Sequence, residues 1–445
     1  MSGTKNPESI STKQARIANI ARQHPTQALT PLSHHIDLDW LREAHQRTRK
    51  DAAPGIDRQT AADFEKDLEV NLQSLLDRAK SGTYRAPPVR RVNIPKGDGK
   101  TRPIGIPTHE DKVLQRAVVM VLEPIYEEEF YDFSYGFRPG RSAHAALESL
   151  WRGLMNLNIG WVLDVDVQNF FDTLDHRVCR ELLCERVSDG VIVRLVGKWL
   201  NAGVLDGGVV RRLSSGTPQG GVISPLLANI YLHHVLDKWW AQEVVPRLRG
   251  KAILIRYADD FTIGFELEED ARRVHAVLPR RFGKYGLTLH PGKTRLLRFG
   301  SRSEQNRPGG PGGGGETFDF LGFTHYWGKT KTGRMAVTRR TMQARFSRAL
   351  RAVTLWCRSH RHLKVAEQAR QLARKLLGHY AYYGITGNMR ALSSFLHQVQ
   401  FVWWKWLSRR SHRARMPWST FSALWARNPL PAPRIVHSAL RSAKP

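Results

Sequence analysis

The sequence predicts an α+β protein, with strands gathered in the middle of the chain and helices before and after them. Three observations carry this expectation. Residues 161–167 read WVLDVDV, whose alternation puts Trp161, Leu163, Val165 and Val167 on one face and Asp164 and Asp166 on the other. Ala252–Tyr257 and Phe261–Phe265 are two further strand-like runs joined through Ala258, Asp259 and Asp260, the pattern of a hairpin with acids at its tip. After about residue 335 the apolar residues recur at helical spacing.

Taken in order, residues 1–30 are polar and basic with a weak helical pattern at Ala15–Ile20, and are expected either to lack order or to gain it on a ligand. Asp37–Arg47 suits a short amphipathic helix, Ala53-Pro54-Gly55-Ile56-Asp57 a turn, and Phe64, Leu68, Leu72 with Leu75 or Leu76 another helix. VRRVNIPKGDGKTRPIGIP (89–107) reads as two short strands around a turn at 96–100. Lys112–Leu122 and Ala143–Trp151 follow as helices, the second capped by Ser142. Asn306–Gly315 is too rich in Gly and Pro to pack. TFDFLGF (317–323) is strand-like, and the rest is expected to be mostly helical. Met342, Phe346, Leu350 and Val353 form one stripe, and Leu372, Leu376 and Tyr380 another. Trp403, Trp404 and Trp406 lie near Arg409 and Arg410, with most of these rings expected in a core.

The chain has 445 residues, enough for about three domains. It carries 69 Lys and Arg against 40 Asp and Glu, a formal charge of +29. At 41% hydrophobic residues it is not a disordered basic tail. A positive field of this size neutralises phosphate, so nucleic acid is the leading partner and an anionic membrane surface the weaker one. Cys179, Cys184 and Cys357 are too few for a disulfide scaffold or a four-cysteine zinc module. No apolar run approaches the length of a membrane span, and the first residues hold no secretory h-region.

The chemistry is sought where carboxylates end apolar strands, because buried strands rarely carry them without reason. If 161–167 neighbours the hairpin, Asp166, Asp259 and Asp260 converge. Like charges that close need a proton or a metal ion between them. Oxygen ligands suit Mg²⁺, and two such ions suit nucleotidyl transfer. Spacing alone leaves Asp164 as a rival ligand. Asp172, Asp175 and His176 are other candidates, better suited to caps or turns.

Seven stretches then occur in one order: RPIGIPTHEDKVLQ (102–115), SYGFRPGRSAHAAL (134–147), DVQNFFDTLDH (166–176), SGTPQGGVISPLLANIYLH (215–233), RYADDF (256–261), LHPGKT (289–294) and FLGF (320–323). With them the chain resembles the reverse transcriptase and maturase proteins encoded by bacterial group II introns, over about residues 35–440. The resemblance implies a right-hand polymerase fold in four parts: an N-terminal extension (1–60), fingers and palm (61–335), a helical thumb or maturase region (336–410) and a short basic appendage (411–445). It implies an RNA-directed DNA polymerase with two Mg²⁺ ions, held by Asp166 and Asp259 with Asp260 as nearby support, and so decides against Asp164. Lys96 and Arg102 match groups that contact the triphosphate, with Lys100 able to replace Lys96. Phe171 matches the ring that excludes a ribose 2′-hydroxyl; Phe170 is then expected to be its core partner, because adjacent strand-like residues face oppositely. Gln219 matches part of the nucleotide or template pocket, and Tyr257 lies near the primer end. Arg138 and Arg141 are read as template-primer contacts, and Lys293 as support for the active site or primer backbone.

The implied partners are group II intron RNA, an RNA template with DNA primer, dNTPs and a DNA target, with no membrane. The implied location is the bacterial cytoplasm, at the nucleoid when acting on DNA. Many members continue into a DNA-binding and Cys/His endonuclease region. The expectation here is a short form without it, most like the group IIC class, priming at nicked, replicating or structured DNA. Rival readings are a host-adapted, intron-free reverse transcriptase for repair or phage defence, and a non-catalytic RNA-binding splicing factor. Retention of all three acids argues against the second. A viral RNA-copying polymerase is disfavoured by Phe171 and by the GFRPGRS and TPQGG contexts.

Overall fold

A computed structural model describes residues 9–95, 101–206, 209–211, 216, 220–300, 316–330, 332–410 and 416–438. Lys96, Lys100, Gln219 and the Gly/Pro-rich insert lie outside the described residues. The strands are β1 (Val89–Pro95), β2 (Thr101–Ile106), β3 (Trp161–Asp166), β4 (Val204–Asp206), β5 (Val209–Arg211), β6 (Ala252–Tyr257), β7 (Asp260–Phe265), β8 (Arg295–Arg298), β9 (Phe318–Phe320), β10 (Phe323–Lys329) and β11 (Met335–Thr341). They form three sheets ordered β2-β1-β4-β5, β6-β7-β3-β8 and β11-β10-β9. The first is mixed, since β1 runs antiparallel to β2 and parallel to β4. With helices around these sheets, the architecture is α+β.

The sheet β6-β7-β3-β8 is antiparallel throughout and has a core on each face. Leu163, Val165, Leu254, Phe261, Ile263 and Phe265 point into the larger core. Val162, Ile255 and Leu297 point the other way, toward helix Ala143–Asn156 and the β9–β11 sheet. The period of two puts Asp164 and Asp166 on the face opposite Leu163 and Val165.

Helix His109–Glu127 runs through the larger core. Thr108 accepts from the Asp111 amide, which caps the helix, and Glu110 and Asp111 suit the positive end of its dipole. The helix is buried nearly all round, and its middle, Ala117–Leu122, is wholly apolar. Trp40, with no exposure, donates Nε1–H to the Ala117 carbonyl at 2.9 Å.

Residues before 60 do not stand apart. Helix Ile10–Gln23 buries Ile17 and Ala21 in the same core, and Leu29, Leu32 and Ile36 follow. Asp189 accepts from the Leu32 and Ser33 amides at 2.8 Å each, and Arg186 Nη2 donates to the Ala21 carbonyl at 2.8 Å. The weak helical pattern at Ala15–Ile20 understated this, because the segment buries only one narrow stripe.

The expectation that the chain after FLGF is mostly helical holds only from Gln343 onward. Leu321 (φ +48) and Gly322 (φ +81) turn the chain back, and β10 and β11 follow before the first helix. A cut at 335/336 therefore falls at the start of β11, which is paired with β10. Helices Gln343–Ser359, Val365–Tyr383 and Met389–Leu407 then pack around Val353, Leu372, Leu376, Tyr380, Phe395 and Trp403. Trp403 donates to Gln368 at 2.9 Å and Trp404 to the Met416 carbonyl at 3.0 Å, while Trp406 is flanked by Arg358 and Arg409. Among the described residues no helix is long and apolar enough to cross a membrane.

Candidate active site

The register of the central sheet brings the acids together. Asp166, the last residue of β3, pairs with Asp260, the first of β7. Asp260 also pairs with Tyr257 at the end of β6, so Ala258 and Asp259 form the hairpin tip. Ala258 adopts φ +57, the left-handed state that makes so tight a reversal. Beyond β3 the chain bonds to the LHPGKT segment: the His290 amide donates to the Asp166 carbonyl at 2.8 Å, and the Gln168 amide to the Thr288 carbonyl at 2.8 Å. This carries Lys293 Nζ to 2.6 Å from Asp166 Oδ2.

Asn169 (φ +48) then turns the chain into the helical turn Phe170–Thr173. Phe170 and Phe171 are therefore not strand residues on opposite faces. Both rings are buried and meet edge to face at 5.3 Å, and Phe171 also lines the cleft beside Asp166. That cleft holds about 300 Å³ and is walled by Arg102, Asp166, Phe171, Asp259, His290 and Lys293. Arg102, on β2, faces it from the first sheet and opposes the rise in the Asp259 pKa. Tyr257 is half-buried behind the tip.

Gly216 and Gly220 pack tightly against elements that carry cleft residues. A Cβ on Gly216 (φ +91) would stand 2.9 Å from the Asp172 carbonyl oxygen, and one on Gly220 (φ +127) 2.4 Å from that of Gly105. Only glycine allows residue 216 to come so close to the Phe170–Thr173 turn and residue 220 so close to β2. Asp175 caps helix His176–Cys184 by accepting from the Val178 amide at 2.9 Å, and His176 bonds the Gly216 carbonyl at 2.6 Å. Both are structural, as a cap or turn role requires.

Arg138 does not fit the expected phosphate contact. It is buried, and its guanidinium donates to the Glu127 carboxylate at 2.9 Å and to the Tyr131 and Ser134 carbonyls at 2.7 and 2.8 Å. In so basic a chain an arginine reads as surface, but here it ties down the loop before helix Ala143–Asn156. Arg141 is half-exposed, bonded to Asp132 at 2.6 Å and stacked over Tyr135.

Four carboxylates, Asp164, Asp166, Asp259 and Asp260, crowd the strand ends. Desolvation and then Asp164, Asp259 and Asp166 push the Asp260 carboxyl up to about 7, with Arg345 opposing. Asp260 is nonetheless exposed at the strand end, so the rise comes from partial enclosure by neighbouring walls and crowding by like charge, not from burial. Asp259 is also raised, by desolvation first and by Asp166. Asp164, held by Arg295 at 3.4 Å, is raised to about 6 by desolvation, with Asp319 and Asp166 adding to it. Asp164 and Arg345 thus belong to the site's electrostatics. Arg256, Asp237 and Asn229 beneath the tip are a further group that pattern reading did not single out.

Among the described residues no three acidic, His or Cys side chains already enclose a cation position. The donors nonetheless suit a hard divalent cation: all are carboxylate oxygens, mutually repelling, on adjacent strands. Between the ordinary Asp pKa and about 7 the native protein binds more protons than the unfolded chain, so this group loses stability as pH rises. A cation replaces the missing protons. Mg²⁺ is therefore expected to raise the melting temperature clearly at pH 8 and little at pH 5.5. Equal shifts at both pH values would refute the crowding account.

Comparison with known proteins shows the family of this region. Residues 94–325 match the family model described as reverse transcriptase (RNA-dependent DNA polymerase). The chain is 37% identical to Protein YkfC of Escherichia coli (strain K12) over 286 residues, 57% of this chain and 75% of that protein. It is 38% identical to Group II intron-encoded protein LtrA of Lactococcus lactis subsp. cremoris over 232 residues, 51% of this chain but only 38% of that protein. A protein in the cob intron of Schizosaccharomyces pombe is 38% identical over 164 residues, covering 20% of its length.

Proposed function

The chain belongs to the reverse transcriptase family, and from that premise we propose that it is an RNA-directed DNA polymerase that also binds group II intron RNA and assists splicing and retrohoming. The observation that carries the polymerase reading is the Asp166–Asp260 register beside the Asp259 tip, with Arg102, Phe171 and Lys293 in the same cleft.

In this reading Asp166 and Asp259 hold two Mg²⁺ ions with Asp260 in support. When bound, these ions supply the charge that activates a primer hydroxyl and stabilises the leaving pyrophosphate. The chain's own residues do the rest. Arg102, with Lys96, grips the triphosphate. Phe171 sets a ring under the sugar, and Gln219 completes the pocket. Lys293 holds Asp166 in the free enzyme and is placed to meet phosphate once nucleotide enters. Arg141 and Tyr257 lie toward the template-primer, and Arg138 acts by fixing the loop that carries Arg141. The first two sheets are the fingers and palm, and the three-helix bundle is the thumb and the surface for intron RNA. A dNTP-using, Mg²⁺-dependent extension of a DNA primer on RNA tests the reading, and no extension under any primer length would refute it.

The intron-RNA role rests on relatives and charge. Its check is affinity against salt: log Kd should rise steeply with log salt as phosphate contacts release counterions. A flat response would remove the electrostatic surface. The group IIC-like assignment is proposed on the same family grounds.

A further inference from the structure

The hairpin tip rests on a buried polar lattice that the proposed chemistry does not itself use. Arg256, the penultimate residue of β6, has no solvent exposure. Its Nε donates to Asp237 Oδ1 at 2.8 Å and its Nη2 to Asp237 Oδ2 at 2.5 Å. Its Nη1 donates to Asn229 Oδ1 at 3.0 Å and to the Ala258 carbonyl at 3.1 Å. Asp237, also without exposure, ends a π-helical segment, His233–Asp237, that continues helix Ser224–Leu232. Asn229 donates in turn to the Gly136 carbonyl at 2.7 Å. Gly136 approaches the tip so closely that a Cβ there would stand 2.2 Å from the Ala258 amide nitrogen.

These contacts converge on one peptide. Ala258 has φ +57, a state that disfavours any residue with a Cβ and persists where its surroundings over-determine it. Gly136 abuts the Ala258 amide, and Arg256 holds the carbonyl. That carbonyl and the Asp259 amide share a rigid plane, so fixing the oxygen fixes the direction in which Asp259 leaves the turn. Stability alone explains the pair poorly, because a buried ion pair gains little over an apolar one. A lysine would balance the Asp237 charge equally well. What arginine adds is a planar fork that reaches Asp237, Asn229 and the Ala258 carbonyl at once.

We propose that Arg256, seated by Asp237 and Asn229, is a positioning residue that locks the Ala258–Asp259 peptide and so aims the Asp259 carboxylate. This rests on the polymerase reading of the site.

Arg256→Lys keeps the charge and loses the fork. Its kcat for extension should fall about 100-fold, the cost of a small misplacement, with the dNTP KM and template-primer Kd changed less than about threefold. Amide exchange at 257–260 should quicken while Met389–Leu407 keeps its protection. Adding Ala258→Gly should recover about tenfold of the loss, because glycine needs no clamp to hold positive φ. Unchanged exchange at the tip, exchange raised throughout, or no rescue by glycine each overturns the proposal. If Arg256→Lys does not fold, Asn229→Ala, which spares the ion pair, is read by the same exchange and kinetic criteria. If the wild-type protein extends no primer, the polymerase reading fails, and the exchange comparison still decides the lock.

Discussion

Asp259→Ala is expected to reduce primer extension at least about 10³-fold while RNA affinity stays within about twofold. The carboxylate stands at the hairpin tip in the cleft, held beside Asp166 by the β3–β7 and β6–β7 registers, and its pKa is raised by desolvation and by Asp166. Removing it takes away one of the three carboxylates proposed to hold the metal ions. It leaves the helical bundle and the basic surface untouched. Because Asp259 is crowded by like charge, its loss should not lower the melting temperature, and a small rise is expected without Mg²⁺. Single-turnover extension with a parallel binding titration separates these effects. Extension above about 10% of wild type would show that the chemistry lies elsewhere.

Phe171→Ala should raise incorporation of NTP relative to dNTP by about 10- to 100-fold, roughly 1.4 to 2.7 kcal/mol of lost discrimination. The ring is 8% exposed, and that small area faces the cleft. Its other side packs on Phe170. A ring braced from behind resists displacement, so a 2′-hydroxyl meets a wall rather than a side chain that yields. The same bracing means that truncation leaves a void in the core and lowers the melting temperature. Stability loss falls equally on both substrates, so the ratio of the two kcat/KM values isolates the gate. An unchanged ratio would assign Phe171 to the core alone.

Much of the site was legible because strands have a period of two. WVLDVDV declares which residues face the core, and that fixes Asp166 at the same strand end as the hairpin acids. Long-range tertiary contact was less legible. Nothing local distinguishes Arg138 and Arg256, both buried, from the many solvated arginines of a +29 chain. The reversal at Leu321-Gly322 is a local signal, but β10 alternates too weakly to read as a strand beside the helices that follow. Phe170 and Phe171 misled for another reason: a single left-handed residue, Asn169, replaces strand geometry with a helical turn. The N-terminal helix was obscured because its partners lie far along the chain.

That last feature bears on how the molecule comes into being. The Ala21 carbonyl waits for Arg186, 165 residues later, and the Leu32 amide for Asp189, 157 residues later. At roughly 5–20 residues per second of synthesis, helix Ile10–Gln23 has left the ribosome for about 8–30 seconds before its clasp exists. During that time Ile17, Leu29 and Leu32 have no complete core to enter. Helix Ile10–Gln23 is thus fully clasped only once the chain has reached Asp189, although it can pack on His109–Glu127 earlier.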